Sequence, residues 1–337
     1  MMGARVYDYA ALNAPLEQPK MGRHLVSVQD FSPEEIKSLF ELTNIIKHRP
    51  ADFRAALTGK QLVLFFEKAS LRTRLTFEAG MSSLGGATFF VDQTRSRMRD
   101  RETLRDIAHN VERWVDAVVV RTFEHDTVME IAQNSCIPVI NALSDFEHPC
   151  QALADFFTLQ ERFGDVSQLN LAYVGDGNNV AHSLMLAAAS LGGKISIATP
   201  QGYAPHPQVT AAAVGIAAAT GAQIKITHDP LAAVRGADAV YTDVWTSMGC
   251  EAEAAERKTI FAPYQVNDDL FAHAAPHAVF MHCLPAHREE EVATSVIDSP
   301  RSVIFDQAEN RMHVQKAILL QLLGGGIRRP VLRSNHA

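Results

Sequence analysis

Short apolar runs alternate with stretches of helical periodicity along most of the chain. Because such runs, bounded by turn residues, are typical of buried strands, they predict strands at residues 62–66, 87–92, 116–122, 137–143, 171–175, 194–200, 239–243, 278–283 and 302–306. Apolar residues spaced three or four apart predict helices at residues 33–47, 70–84, 102–114, 149–163, 179–193 and 310–323. The alternation indicates an α/β fold in which helices cover both faces of parallel sheets.

The length of 337 residues fits about two domains of this kind. We expect two doubly wound parallel-sheet domains joined by a shared helix, because the region near residue 150 lacks the composition of a flexible linker. The predicted first domain covers residues 1–150 together with the C-terminal helix at 310–337, which packs back on it. The predicted second domain covers residues 151–309.

Composition and charge narrow the classes of function. Apolar residues make up 47% of the chain and charged residues 20%, which is typical of a globular protein and excludes a disordered or fibrous one. The net charge of -7 gives no reason to expect a nucleic acid or an acidic membrane as partner. We therefore expect neither of these as a partner.

Cysteine usage and the lack of long apolar segments bear on location. The four cysteines are scattered and none forms a CxxC pair, which argues against a disulfide framework and a cysteine-based zinc site. No apolar run approaches the ~20 residues of a membrane span. The N-terminal segment has no apolar signal core. These features predict a cytoplasmic protein.

Polar residues follow several of the predicted strands directly. Ser70 comes after the first predicted strand, and Arg121, Asp243 and His282 stand at the ends of later ones. In open α/β sheets, ligands bind outside the carboxyl ends of the strands. The sequence therefore predicts a cleft at this edge, lined by these polar groups.

The segment SLRTR at residues 70–74 joins the first predicted strand to a helix. The start of a helix offers free backbone N–H groups and the positive end of the helix dipole. Ser70 and Thr73 add hydroxyl groups, and Arg72 and Arg74 add guanidinium groups suited to phosphate or carboxylate oxygens. The segment is a candidate anion cradle, although an ordinary helix cap with solvated arginines fits it equally well. It lacks the GxxxxGK[ST] pattern of a P-loop.

Four further motifs are ordinary when each is taken alone. They are HPCQ at 148–151, DVWTSMG at 243–249, HCLPA at 282–286 and DQAENRMH at 306–313. Together with SLRTR, in this order and at these spacings, they resemble the transcarbamoylase family, and within it the members that act on ornithine. The resemblance extends from about residue 27 to residue 323.

The resemblance implies that carbamoyl phosphate is the first substrate. His148 and Arg311 are expected at its carbonyl oxygen, and Gln151 and the carbonyl of Leu284 at its NH2 group. The complete set that the resemblance assigns to this substrate is Ser70, the backbone of Leu71, Arg72, Thr73, Arg97, Arg121, His148, Gln151, Cys283, Leu284 and Arg311.

The implied chemistry is attack by an amine on the carbonyl carbon, with phosphate as the leaving group. Negative charge then builds on the carbonyl oxygen and on the phosphate, and fixed donors aimed at these atoms lower the barrier. The residues expected to be catalytic are Arg121, His148, Asp243, Cys283 and Arg311. The reaction requires no covalent enzyme intermediate, and we expect neither a metal nor a cofactor.

The resemblance also implies a site for the amino acid. Asp243 and Ser247 are expected at the α-amino group, and Asn179 with the backbone of Met248 at the α-carboxylate. Cys283 is expected beside the attacking δ-amine, as a thiol or as a thiolate. The family assembles as trimers, some of which stack further, with sites at the subunit interfaces.

One segment departs from the pattern of the ornithine enzymes. Arg97 occupies a position where these enzymes usually carry Gln or His, in a loop at 92–106 that reaches the neighbouring subunit's site. Arg99 and Arg101 make this loop unusually basic. The run of charges fits a solvated surface, or it fits a contact from Arg97 to carbamoyl phosphate in the adjacent subunit.

Three alternatives stay open on the sequence alone. GDGNNV at 175–180 imitates part of a dinucleotide-binding motif, but Val180 replaces its third glycine and the next strand ends without an acidic residue. A scaffold without catalytic activity would be expected to lose the motifs that this chain keeps. Within the family, the amine could be lysine, putrescine or an N-acylornithine, although Asp243 and the SMG sequence favour ornithine.

Overall fold

Two parallel β-sheets organise the chain in the computed structural model, which describes residues 23–95, 97–246 and 251–324. The first sheet contains β1 (Gln61–Phe66), β2 (Ala87–Asp92), β3 (Ala117–Arg121) and β4 (Val139–Leu143). Its strands lie in the order β2-β1-β3-β4, and every neighbouring pair is parallel.

The second sheet has five strands, which also pair in parallel. They are β5 (Asn170–Val174), β6 (Lys194–Ala198), β7 (Gln223–Thr227), β8 (Ala239–Tyr241) and β9 (Val279–Met281). Their order is β7-β6-β5-β8-β9. The predicted α/β fold with two parallel sheets is therefore confirmed.

Helices surround both sheets. They are α1 (Pro33–His48), α2 (Leu71–Ser83), α3 (Leu104–Val111), α4 (His125–Gln133), α5 (Pro149–Phe163), α6 (Asn179–Leu191), α7 (Pro207–Thr220), α8 (Pro230–Val234), α9 (Ala254–Phe261), α10 (Asp268–Phe271), α11 (Thr294–Ile297) and α12 (Ile304–Leu323). Among the described residues, no helix combines the length and the apolar character that crossing a bilayer would need.

Two helices connect the halves of the chain. α5 follows β4 and packs against α6, while α12 returns from the second half and packs against α1, α2 and α5. One apolar cluster runs through this region, from Leu64 of β1 and Phe40 of α1 through Phe157 of α5 to Leu184 of α6 and Tyr173 of β5. The predicted return of the C-terminal helix is confirmed, and the predicted boundary at residue 150 stays a prediction.

One predicted strand is wrong. Residues 302–306 contribute a single bridge, between Ser302 and Phe280, and the chain then enters α12 at Ile304. The last helix thus begins before its predicted start at residue 310. The buried face of its first turns includes the polar residues Gln307 and Asn310, so the apolar spacing that indicates a helix is interrupted there.

A buried carboxyl group links three parts of the chain next to α5. Glu147 precedes this helix, and its Oε2 accepts hydrogen bonds from the backbone N–H of Val28 at 3.2 Å and from Ser183 Oγ of α6 at 3.1 Å. Ser183 Oγ in turn accepts the backbone N–H of His148 at 2.9 Å. Glu147 therefore holds the start of α5 against α6 and the N-terminal segment.

We predict that Glu147→Gln removes part of the pH dependence of stability. Burial raises the pKa of Glu147 from 4.5 to about 7, while hydrogen bonds from Ser27, Val28 and Ser183 act in the opposite direction. The folded state therefore keeps a proton that the unfolded state releases, so this group's contribution to the free energy of unfolding falls as pH rises through that window.

Thermal unfolding of the two proteins between about pH 5 and pH 8 checks this prediction. The stability of Glu147→Gln relative to the unaltered protein should rise with pH. The same substitution at the exposed Glu102 serves as the control and should leave the slope unchanged. Identical pH slopes for all three proteins would contradict the role of Glu147.

Candidate active site

The carboxyl ends of strands from both sheets face one cleft of about 900 Å³. The predicted site residues that line it are Ser70, Leu71, Arg72, Thr73, Arg121, His148, Gln151, Asn179, Asp243, Cys283, Leu284 and Arg311. These residues come from segments spread between positions 70 and 311 of the sequence, and the fold brings the segments together in one cleft. Ser247 and Met248 lie outside the described residues.

The start of α2 forms one wall of the cleft. Ser70 caps this helix, and its Oγ accepts the backbone N–H of Thr73 at 3.2 Å. Thr73 Oγ1 accepts a hydrogen bond from Nη2 of Arg311, on α12, at 2.6 Å. The capped helix start and the Arg311 guanidinium therefore form one positively charged surface.

Three guanidinium groups, those of Arg72, Arg121 and Arg311, lie close together in this wall. Burial, followed by the charges of Arg311 and Arg72, lowers the pKa of Arg121 to about 9. Within residues 23–95, 97–246 and 251–324, no acceptor meets the buried Nε of Arg121 or of Arg311. Because like charges repel and buried donors are normally paired, this cluster is suited to bind an anion.

His148 is buried at the start of α5 and is neutral. Burial, then the charges of Arg311 and Arg121, lowers its pKa well below its usual range. Its Nε2 lies 3.4 Å from Nη2 of Arg311, which can only donate. The neutral ring keeps one N–H, so His148 can donate a hydrogen bond without carrying a charge.

Gln151 lies one turn into α5 and faces the same region. Its Nε2 donates to Oδ1 of Asp155 at 2.8 Å. Gln307 Nε2 donates to the same oxygen at 2.9 Å, and the Tyr241 hydroxyl donates to Oδ2 at 3.1 Å. Asp155 and Tyr241 are absent from the set predicted from sequence. Asp155 stands four residues after Gln151, a spacing that places both on one helix face and that signals their contact.

Cys283 and Asp243 meet on the opposite side of the cleft. Cys283 Sγ donates to Oδ1 of Asp243 at 3.1 Å, and Asn178 Nδ2 donates to Oδ2 at 2.8 Å. Burial and the neighbouring Asp243 carboxylate raise the pKa of Cys283 well above its usual range. Both effects favour the thiol, one of the two forms that the sequence leaves open.

The turn GDGNN at 175–179 is packed against the protein's own chain. A Cβ atom on Gly177 would lie 2.3 Å from the backbone nitrogen of Pro205, so this position requires glycine. Asn178 caps α6, and Asn179 Nδ2 donates to the Ser144 carbonyl at 2.6 Å. The glycine that suggests a dinucleotide motif thus serves packing of the backbone rather than close approach of a phosphate.

A buried ion pair supports the loop after β8. Arg257 Nη1 donates to Asp176 Oδ2 at 2.8 Å and to the Trp245 carbonyl at 2.7 Å. It ties the loop that carries Asp243 to the GDGNN turn. Sequence reasoning misses Arg257, because 81 residues separate it from Asp176 and no motif connects them.

Two arginines named from the sequence point away from this cleft. Arg97 Nη1 donates to Oε1 of Glu124 at 2.9 Å, and its side chain is 48% exposed. Arg74 pairs with Glu78 at 2.9 Å and lies over the ring of Phe90. Of the two arginines in SLRTR, only Arg72 lines the cleft.

His282, Cys283 and Asp243 stand close enough together to suggest a metal site. Both ring nitrogens of His282 are engaged, however: Nδ1 accepts the backbone N–H of Leu284 at 2.9 Å, and Nε2 lies 3.1 Å from Glu291 Oε1. Binding a metal through this ring would break one of these buried contacts. The geometry therefore favours a structural role for His282.

Comparison with known proteins matches this architecture to one family over both halves of the chain. Residues 23–161 match the family model "Aspartate/ornithine carbamoyltransferase, carbamoyl-P binding domain". Residues 167–322 match "Aspartate/ornithine carbamoyltransferase, Asp/Orn binding domain". The two models together cover most of the described residues.

Individual relatives agree with these matches. The ornithine carbamoyltransferase of Pyrococcus abyssi is 49% identical over 306 residues, which covers 90% of this chain and 96% of the relative. That of Bacillus subtilis is 48% identical, covering 90% and 95%. The solved ornithine carbamoyltransferase of Pyrococcus furiosus superimposes with a TM-score of 0.88 at 48% identity, covering 91% and 98%. The chain belongs to the aspartate/ornithine carbamoyltransferase family.

Proposed function

We propose that this protein transfers the carbamoyl group of carbamoyl phosphate to the δ-amine of L-ornithine, giving L-citrulline and phosphate. The main observation behind the proposal is that a cationic surface and an acidic one face each other across a single cleft. Guanidinium groups gather at the edge of the first sheet, and the Cys283–Asp243 pair lies at the edge of the second. A dianion and an amine would thus be held face to face.

The phosphate is proposed to bind at the start of α2. Ser70, Thr73 and the backbone of Leu71 supply donors there, and Arg72 and Arg121 supply charge. Charge-assisted hydrogen bonds from guanidinium groups to phosphate are among the stronger ones in proteins. The same groups would stabilise the phosphate as it leaves and gains charge.

The carbonyl oxygen is proposed to lie between His148 and Arg311. Both side chains are held in place by buried contacts, so they need no reorganisation as negative charge develops on that oxygen. Gln151 and the carbonyl of Leu284 are proposed to accept hydrogen bonds from the carbamoyl NH2. Leu284 has a φ of 59°, in the left-handed region that few side chains adopt, which sets the direction of its carbonyl.

The amine attacks the carbonyl carbon, so a C–N bond forms while the bond from that carbon to the phosphate oxygen breaks. Cys283 is a thiol that donates to Asp243, and it therefore does not act as the base that removes the amine proton. We propose that the thiol and carboxylate orient the amino acid. Asn179 together with Ser247 and Met248 would bind the rest of it.

Assembly as a homotrimer in the cytoplasm completes the proposal. Family membership supports the trimer, as do the exposed side chains of Phe89 and Trp114, which are 50% and 67% exposed beside an apolar groove at the edge of the first sheet. The described cysteines Cys136, Cys150 and Cys283 are unpaired, as is usual in a reducing compartment.

A colorimetric assay for ureido products tests the proposed reaction. Carbamoyl phosphate is offered with ornithine, lysine, putrescine, aspartate, N-acetylornithine or N-succinylornithine. We predict product from ornithine well above all the other amines. Preference for another amine would refute the amino-acid assignment alone, and no product from any amine would favour the non-catalytic scaffold.

We predict that Asp243→Asn lowers turnover of ornithine by about tenfold or more, because an amine loses its anionic partner. Affinity for carbamoyl phosphate should stay within about twofold, since Asp243 lies on the other side of the cleft. Steady-state kinetics and calorimetry measure the two quantities. Asp238→Asn, in the same half of the chain but away from the cleft, is the control. Full turnover in Asp243→Asn would place ornithine recognition elsewhere.

Arg97 is proposed to contact carbamoyl phosphate in the adjacent subunit, although within its own chain it pairs with Glu124. We predict that Arg97→Ala raises the KM for carbamoyl phosphate by roughly tenfold, the loss expected for one charge-assisted contact. Arg95→Ala, in the same loop, is the matched control. An unchanged KM and turnover in Arg97→Ala would mean that the basic loop is only a solvated surface.

A further inference from the structure

The amide of Gln151 is held in a single orientation. Its Nε2 donates to Asp155 Oδ1 at 2.8 Å, and the whole side chain is buried. Its Oε1 is also buried, and no donor meets it among residues 23–95, 97–246 and 251–324. Gln151 lines the cleft. The acceptor end of this amide is therefore the end left for a ligand.

Asp155 prevents the side-chain amide of Gln151 from rotating by half a turn. An ionised carboxylate only accepts hydrogen bonds. Rotating the Gln151 amide by half a turn would place its oxygen against a carboxylate oxygen, which loses a hydrogen bond and adds repulsion. The NH2 end must therefore face Asp155.

The position of Asp155 is itself fixed by two further donors. Gln307 Nε2 donates to it at 2.9 Å, and the orientation of Gln307 is set because its Oε1 accepts the backbone N–H of His282 at 3.0 Å. The Tyr241 hydroxyl donates at 3.1 Å from β8. Asp155 thus joins α5, α12 and the second sheet in one buried network.

We propose that Asp155 is a positioning residue that selects a carbamoyl group over other acyl groups, by fixing Gln151 so that its Oε1 accepts a hydrogen bond from the carbamoyl NH2. This inference rests on the proposed function. An acetyl group offers a methyl in place of the NH2 and would leave the buried Oε1 unpaired. Sites built around a buried polar group discriminate strongly against analogues that lack its partner.

The positioning of Gln151 by Asp155 depends on pH, because Asp155 must be ionised to act fully. Burial raises the pKa of Asp155 to about 6, while hydrogen bonds from Gln307, Gln151 and Tyr241 act in the opposite direction. Of the titratable groups near it, Tyr241 and Cys283 have pKa values raised well above their usual range and stay neutral. Arg311 stays a cation. Protonation removes the charge of Asp155, so its hydrogen bond with Gln151 weakens and it enforces that orientation less strongly.

Two stable phosphonates test the inference by calorimetry. Phosphonoacetamide carries the NH2 group, and acetonylphosphonate carries a methyl in its place; inorganic phosphate reports on the anion cradle alone. We expect the unaltered protein to prefer phosphonoacetamide over acetonylphosphonate by about fivefold or more, the factor typical of one hydrogen bond. In Asp155→Asn, the ratio of the two phosphonate affinities should fall, because a neutral amide holds Gln151 less firmly than a carboxylate does, while phosphate affinity is kept.

The possible results separate the positioning role of Asp155 from the proposed carbamoyl site itself. An unchanged ratio in Asp155→Asn, or an equal weakening of all three ligands, would overturn the positioning role. Gln151→Ala should lose the ratio as well, and adding Asp155→Asn to it should cause no further loss. Asp165→Asn, the same change at an exposed site just after α5, is the control. A ratio of one in the unaltered protein would refute the proposed carbamoyl site before any substitution is made.

The unaltered protein provides a second test, which decides the question if Asp155→Asn does not fold. Both phosphonates carry the same ionisable group, so its titration cancels in their affinity ratio. The ratio should fall as pH is lowered through about 6, where Asp155 takes up a proton. A ratio that stays constant across this range would overturn the inference.

Discussion

The repulsion among three clustered guanidinium groups is the constraint on which the rest of this site depends. Arg121 and Arg311 are 5% and 4% exposed, and the charge of Arg72 acts on both. Burying like charges together is costly unless an anion joins them. The surrounding secondary structure keeps the three groups together in spite of this repulsion. Arg121 ends a central strand, Arg311 lies on a helix packed on three others, and Arg72 lies in the first turn of α2.

The connection between the two sheets holds this guanidinium cluster opposite the Cys283–Asp243 pair in one cleft. α5 begins at the cleft and carries both His148 and Gln151, and α12 brings Arg311 and Gln307 from the far end of the chain. Because an unbroken apolar cluster runs through these helices, the edges of both sheets stay turned toward one cleft. The network around Asp155 then fixes the polar groups of the first half relative to the second.

Much of this could be predicted from the sequence, because the strands are short apolar runs and the polar groups directly follow them. The motifs gave the lining of the cleft, and Arg72 in SLRTR is an example. Residue type alone could not separate Arg72 from Arg74, which only the resemblance distinguished, since their surroundings depend on which side of α2 each occupies against Glu78 and Phe90. It also misplaced the start of α12, whose inward-facing polar residues hide the helical pattern. Contacts across long separations, such as that of Arg257, leave no local signal.

The most direct test of the central claim is a calorimetric titration of Arg72→Ala with carbamoyl phosphate. Arg72 is half-buried and lines the cleft, so its removal should alter the anion site and leave the core intact. Affinity is predicted to fall by at least about tenfold, the loss of one charge-assisted contact. Arg74→Ala, two residues away and outside the cleft, should bind normally. Equal affinity in Arg72→Ala and the unaltered protein would contradict the assignment of the guanidinium cluster as the phosphate site.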